Sequence, residues 1–152
     1  MARRTGRPLA LTHAFWDASA LVPLCVLQSK TPNIESLYQS YQAVVWWATP
    51  VEIASALARL VRTREISSSD WVNARQVTVA LSDEWSVIQP SNALRVHAAQ
   101  LVDRYDLKAA DALQLAAALE WSENIPHAKV FIAADQRLRE AALLSGFDAK
   151  VI

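Results

Sequence analysis

Short apolar runs alternate with longer amphipathic stretches along this chain. Ala14 to Trp16, Ala43 to Trp47, Trp85 to Ile88 and Lys129 to Ala133 are too short for helices and rich in Val, Ile and aromatic residues, so they predict buried strands. Helical spacing predicts helices over roughly Ser19 to Gln28, Ile34 to Tyr41, Pro50 to Glu65, Asp70 to Leu81, Asn92 to Tyr105, Ala109 to Ser122 and Gln136 to Leu144. Ser67, Ser68, Ser69 and Asp70 read as a helix start. Apolar strands alternating with helices imply an α/β fold with a mostly parallel sheet covered on both faces. In such sheets the binding crevice lies outside the carboxyl ends of the strands.

The usual chain punctuators are sparse: Gly occurs only at positions 6 and 146, and the six prolines stand singly between periodic segments. With 152 residues, 53% of them hydrophobic, the expectation is one domain over residues 13–152 behind a basic tail, 1–12, that carries Arg3, Arg4 and Arg7. A formal net charge of zero removes any global positive field, so a nucleic-acid contact must be local. Cys25 is the only cysteine, which excludes an intrachain disulfide or a thiolate metal cluster and fits a reducing cytoplasm. The apolar stretch after the basic start is broken by His13, Asp17 and Pro23, and no run reaches the roughly 18 residues of a membrane span. An unexported, cytoplasmic protein with no membrane partner is expected.

The chemistry lies in four carboxylates. Asp17 follows the first predicted strand, Glu52 lies in the turn after the second, Asp111 starts a helix, and Asp135 follows the fourth strand. Each has an ordinary explanation. Asp17 and Asp135 stand where N-caps stand, and Thr49-Pro50-Val51-Glu52 has the form of a capping box. Asp111 occupies a first turn, where the helix dipole favours negative charge. Capping does not explain why every such junction uses a carboxylate, since in a parallel sheet these junctions share one edge. Two carboxylates about 5 Å apart repel by roughly 3 kcal/mol at an effective dielectric near 20, so a cluster of four calls for a cation or raised pKa values. Oxygen-only donors select hard cations such as Mg²⁺ or Mn²⁺. His13, His97 and His127 have no metal-ligand spacing, which disfavours zinc.

At these residues the chain resembles the PIN-domain ribonucleases, and most closely the VapC toxins of bacterial toxin-antitoxin pairs. The matching stretches are Phe15 to Val22, Val51 to Arg59, Ala110 to Ala118 and Phe131 to Asp135, in the family's order and spacing. The resemblance implies a three-layer α/β/α fold with a central sheet of four to five strands. It places the family's acidic quartet on Asp17, Glu52, Asp111 and Asp135, with Asp17 and Asp111 as direct ligands of Mg²⁺ or Mn²⁺ and Ser19 as the hydroxyl beside the first aspartate. The implied activity is metal-assisted hydrolysis of RNA that leaves 5′-phosphate and 3′-hydroxyl ends. The implied partners are a cognate antitoxin and a second copy of the chain. Two residues depart from the pattern: Gln114 stands where many relatives carry His, and Ala133 where a Thr or Ser usually precedes the last acid by two.

RNA approaching an acidic pocket needs local cations, and Arg59, Arg62 and Arg64, with Arg137 and Arg139, are the candidates. Arg59 lies seven residues beyond Glu52, on nearly the same helix face and about 10 Å along the axis. Of the six tryptophans, Trp46, Trp47, Trp71 and Trp121 are candidates for exposed anchors. Three other readings compete: a PIN nuclease that processes RNA without an antitoxin, a non-catalytic Mg²⁺-binding α/β signalling or binding module, and a PIN-like scaffold that has lost activity and acts by binding, which the retained quartet disfavours. The absence of paired acids directly after the first strand disfavours a receiver-like module.

Overall fold

The structure is a computed structural model and describes residues 12–26 and 32–152. Residues 1–11 of the expected basic tail lie outside the described residues; Thr12 already belongs to a strand, and the first helix ends at Cys25, with Val26 extended, short of the expected Gln28. Among the described residues five strands form one sheet: β1 (Thr12–Trp16), β2 (Tyr41–Trp46), β3 (Ser86–Ile88), β4 (Val130–Ile132) and β5 (Asp148–Lys150). Their spatial order is β3-β2-β1-β4-β5, and every neighbouring pair is parallel. Seven helices surround it: α1 (Ala18–Cys25), α2 (Pro32–Ser40), α3 (Thr49–Arg62), α4 (Ser68–Ser82), α5 (Asn92–Tyr105), α6 (Ala109–Trp121) and α7 (Gln136–Ser145).

Alternation along the strands sends side chains into two separate cores. Ala14, Trp16, Ala43, Val45, Val130 and Ile132 pack with residues of α1 to α4, including Leu21, Ile34, Ile53, Leu57 and Ala74. Phe15, Val44, Trp46, Phe131 and Ala133 face the other way, onto Leu94 and Leu101 of α5, Leu115 of α6 and Leu138 of α7. Period-two alternation of apolar residues is what a strand buried on both faces requires. The result is three layers, helix, sheet and helix.

Topology follows from this layering. The chain winds from β1 through β2 to β3 with α1 to α4 on one face, then crosses to the far side of β1 and continues to β4 and β5 with α5 to α7 on the other. The winding direction therefore reverses between β1 and β4. Where neighbouring connections leave a sheet in opposite directions, a crevice opens at the carboxyl ends of the strands.

Several boundaries differ from the sequence expectation: β1 starts at Thr12, two residues before its apolar run, α3 ends at Arg62 instead of Glu65, and β5, Trp85 and β2 differ as follows. The fifth strand, Asp148-Ala149-Lys150, carries no apolar run; it pairs with β4 as an edge strand, and Lys150 binds Asp148 at 2.9 Å. Trp85 is buried but precedes β3, its indole donating to the Tyr38 hydroxyl at 3.0 Å. β2 starts at Tyr41, directly after α2, two residues earlier than its apolar run. The start of α4 is as expected, with Ser67 and Asp70 forming a reciprocal capping box. Among the described residues, no helix is long and apolar enough to cross a membrane.

Phe131 centres the second core, stacked on Phe15 at 5.4 Å and tilted against Phe147 at 5.5 Å between ring centroids. Phe131→Ala is expected to lower unfolding free energy by about 3–5 kcal/mol, read as a drop in the urea midpoint. A loss below about 1 kcal/mol would show that the ring is not a core element.

Candidate metal centre

Asp17 lies at the reversal point. Its backbone leaves β1 in an extended conformation, and its N–H donates to the Ile132 carbonyl of β4 at 2.9 Å. The carboxylate caps α1 by accepting from the Ser19 N–H at 3.0 Å, and it also accepts from the Ser19 hydroxyl. That hydroxyl accepts in turn from the Ala134 N–H at 3.0 Å and the Asp135 N–H at 3.3 Å. Ser19 thus ties the turn after β1 to the turn after β4. Asp17 is only 3% exposed. Burial pushes its pKa up to about 6, against the pull of the Ser19 hydrogen bonds, and the nearby Asp111 charge adds to the rise.

Glu52 does not form the expected capping box. α3 begins one residue earlier than the Thr49 cap implies, with Ala48 as N-cap and no side-chain cap hydrogen bond. That shift moves Glu52 out of the third helical position, from which it would reach back to the cap. Its Oε2 instead accepts from Gln114 Nε2 at 2.9 Å, and the same amide nitrogen donates to the Thr49 hydroxyl at 3.2 Å. Gln114 and Thr49 are fully buried, and Gln114 Oε1 has no hydrogen-bond partner among the described residues. Partial burial pushes Glu52 up to about 7 despite the Gln114 hydrogen bond, with the Asp17 and Asp111 charges contributing.

Asp111 projects from the first turn of α6 and is partly buried. Burial and then the Asp135 charge raise its pKa, while Lys108 and Arg137 oppose the rise. Asp135 is exposed and caps α7 by accepting from the Leu138 N–H at 2.8 Å. The quartet is therefore electrostatically linked: Asp17 and Glu52 each feel Asp111, Glu52 also feels Asp17, and Asp111 feels Asp135. The four come to one edge of the sheet.

They do not form a ready ligand cage. Among the described residues, no three His, Cys, Asp or Glu side chains are grouped to hold one ion together. The donor set nevertheless suits a hard divalent cation, because it offers carboxylate oxygens, and burial and mutual repulsion hold Asp17, Glu52 and Asp111 above their ordinary pKa. A cation retaining several waters needs only one or two of them directly.

The cations divide differently from expectation. Arg59 and Arg62 are exposed on the last turn of α3, outside any ion pair among the described residues. Arg139 is not free for a substrate: its guanidinium donates to the Ala133 and Ala134 carbonyls at 3.2 and 3.4 Å and braces the turn that carries Asp135. Arg137 pairs with Asp106 at 3.6 Å on the surface and still acts on Asp111. Lys108, which sequence reasoning missed, is the N-cap residue of α6 and lowers the Asp111 pKa. Its position three residues before Asp111 was the available signal. Thr49 was also misjudged, its hydroxyl serving Gln114 instead of a helix amide. Of the tryptophans singled out, Trp47 is exposed and Trp71 borders on it, whereas Trp46 is buried and Trp121 lies partly buried beneath Lys129.

No protein-family model and no curated protein sequence matches the chain. Solved structures do share its fold. A toxin-antitoxin complex from Klebsiella pneumoniae contains a chain 18% identical, with a TM-score of 0.57 over 80% of this chain and 86% of that one. PAE2754 from Pyrobaculum aerophilum is 19% identical, with a TM-score of 0.65 over 91% of this chain and 89% of that one.

The raised pKa values make the metal-free protein pH-sensitive in a definite direction. Asp17 and Glu52 bind protons more tightly folded than unfolded, so their stabilisation is complete below about pH 4 and is lost as pH rises through about 6 and 7. The urea midpoint in EDTA should fall between pH 5 and 7.5, and Asp17→Asn should remove about 1 kcal/mol of that dependence. A midpoint that climbs over this range would contradict the arrangement. Separately, Gln114→Met deletes the one hydrogen bond that lowers the Glu52 pKa. Glu52 should then titrate above its wild-type pKa in carboxyl ¹³C spectra, and an unchanged or lower value would remove Gln114 from the site.

Proposed function

We propose that this chain is a Mg²⁺- or Mn²⁺-dependent endoribonuclease and the toxin of a toxin-antitoxin pair. The observation that carries the reading is the gathering of Asp17, Glu52, Asp111 and Asp135 at the carboxyl edge of a parallel sheet, with buried acids held against mutual repulsion. Such a cluster is costly unless a cation neutralises it. A bound divalent ion would supply that neutralisation, together with Lewis acidity toward water and phosphate.

The chain's own groups have distinct tasks. Asp17 and Asp111 would be the direct ligands of the ion, one fixed by Ser19 and the β1–β4 junction, the other carried on α6. Glu52 is held through one oxygen by Gln114, which leaves the other to orient water for in-line attack on phosphorus. Asp135 commits one oxygen to the α7 cap and completes the negative field with the other. The expected products carry 5′-phosphate and 3′-hydroxyl ends. Arg59 and Arg62, exposed beyond Glu52 on α3, are suited to neighbouring phosphates of the same strand.

A toxin-antitoxin complex among the structures of this fold supports an antitoxin partner. The acidic pocket is the kind of target a basic side chain of such a partner would enter. A homodimer is part of the same proposal.

Purified protein incubated with total cellular RNA should produce discrete cut ends in Mg²⁺ or Mn²⁺ and none in EDTA. Asp17→Asn and Asp111→Asn should each lower kcat by about a hundredfold or more. Cleavage that survives chelation, or wild-type rates in both variants, would overturn the assignment.

A further inference from the structure

The turn after β4 is held more firmly than its exposure requires. Ala134 and Asp135 are exposed, so water would satisfy their backbone groups. Two side chains from opposite directions take up those groups instead. Ser19, reaching from the first turn of α1, accepts from the Ala134 N–H at 3.0 Å and the Asp135 N–H at 3.3 Å. Arg139, reaching back from α7, donates from its Nη1 to the Ala133 carbonyl at 3.2 Å and the Ala134 carbonyl at 3.4 Å. In a planar trans peptide the N–H and C=O point opposite ways. The two peptide units that lead into Asp135 are therefore gripped on both sides, by a hydroxyl at each amide and a guanidinium at each carbonyl.

The partners of Arg139 are telling. A guanidinium near an acidic cluster gains most from a carboxylate, through charge-assisted bonds. Arg139 takes part in no ion pair among the described residues, and its bonds go to two neutral carbonyls. Helix stability does not call for this. α7 already has the Asp135 side chain at its N-cap and Gly146 at its C-cap, and a cation near the start of a helix stands at the unfavourable end of the dipole. What the two bonds secure is the place of Asp135, whose carboxylate accepts from the Leu138 N–H and whose charge reaches Asp111.

We infer that Arg139 is a positioning residue of the metal centre, fixing Asp135 for the divalent ion by clamping the two peptide units before it, and is not a contact for RNA. The inference rests on the nuclease reading. It adds to that reading a group outside the four acids on which metal affinity depends, as it does on the partners that orient ligands in other metal sites. It also separates Arg139 from Arg59 and Arg62, which stay exposed for phosphates.

The test measures Mn²⁺ binding to the full chain without RNA, by electron paramagnetic resonance of the free ion, beside cleavage kinetics on a short RNA. Arg139→Met, which keeps the stem and removes the donor, should weaken Mn²⁺ binding about tenfold or more and lower kcat at fixed Mn²⁺ with little change in KM. Arg139→Lys, whose single ammonium replaces a single donating nitrogen, should recover part of the loss. Asp135→Asn should itself weaken Mn²⁺ binding, and adding Arg139→Met to it should cost little more, because Arg139 acts through Asp135. In EDTA the salt slope of RNA binding should be the same in Arg139→Met and wild type. Arg139→Gln serves the same cycle if the Met variant does not fold. The inference is overturned by wild-type Mn²⁺ affinity in Arg139→Met or in Asp135→Asn, by additive losses in the double variant, or by a raised KM and a shallower salt slope with Mn²⁺ affinity intact, which would make Arg139 an RNA contact. Metal binding and cleavage that are both indifferent to Arg139 sink this inference alone, whereas a wild-type protein that binds no Mn²⁺ and cuts no RNA sinks the nuclease reading and the inference with it.

Discussion

The junction of β1 and β4 is the constraint on which the rest of the site depends. All five strands run the same way, so the chain must leave each at the same edge, and between β1 and β4 it leaves toward opposite faces. Asp17 is locked into that junction by its N–H on Ile132 and by Ser19, whose hydroxyl reaches across to the Ala134 and Asp135 amides. A carboxylate there is buried by the fold itself. Its raised pKa is the electrostatic consequence, and the other acids collect around a position the sheet has already determined.

The same residues serve structure and chemistry at once. Asp17 and Asp135 cap the helices they precede and still contribute negative charge to the pocket. Glu52, by contrast, is released from capping by a one-residue shift in the start of α3, and Gln114 takes it up. Gln114 binds Glu52 and Thr49 through one amide nitrogen. In the turn after β4, Ser19 holds the Ala134 and Asp135 amides, and Arg139 secures the Ala133 and Ala134 carbonyls.

Charge is arranged locally in a chain that is neutral as a whole. Lys108 and Arg137 moderate the acids at Asp111, Arg59 and Arg62 stand exposed on α3, and Arg95 stands at the start of α5. A polyanion would thus meet positive charge on several sides of a negative centre. Local placement of this kind allows a strongly acidic pocket to coexist with approach by an anion.

Hydrophobic periodicity alone determined the fold class, four of the five strands and the position of all seven helices, because burial on both faces of a parallel sheet leaves a continuous apolar signature and helices leave a 3.6-residue one. It also placed the four acids at strand and helix junctions, hence on one edge. β5 was illegible because a three-residue edge strand buries too little to need an apolar run. Tertiary structure alone decided which carboxylates are desolvated, that Glu52 serves Gln114 and not Thr49, and that Arg139 is a brace. These are contacts between segments tens of residues apart, and their energies depend on distance and burial, which no local pattern encodes.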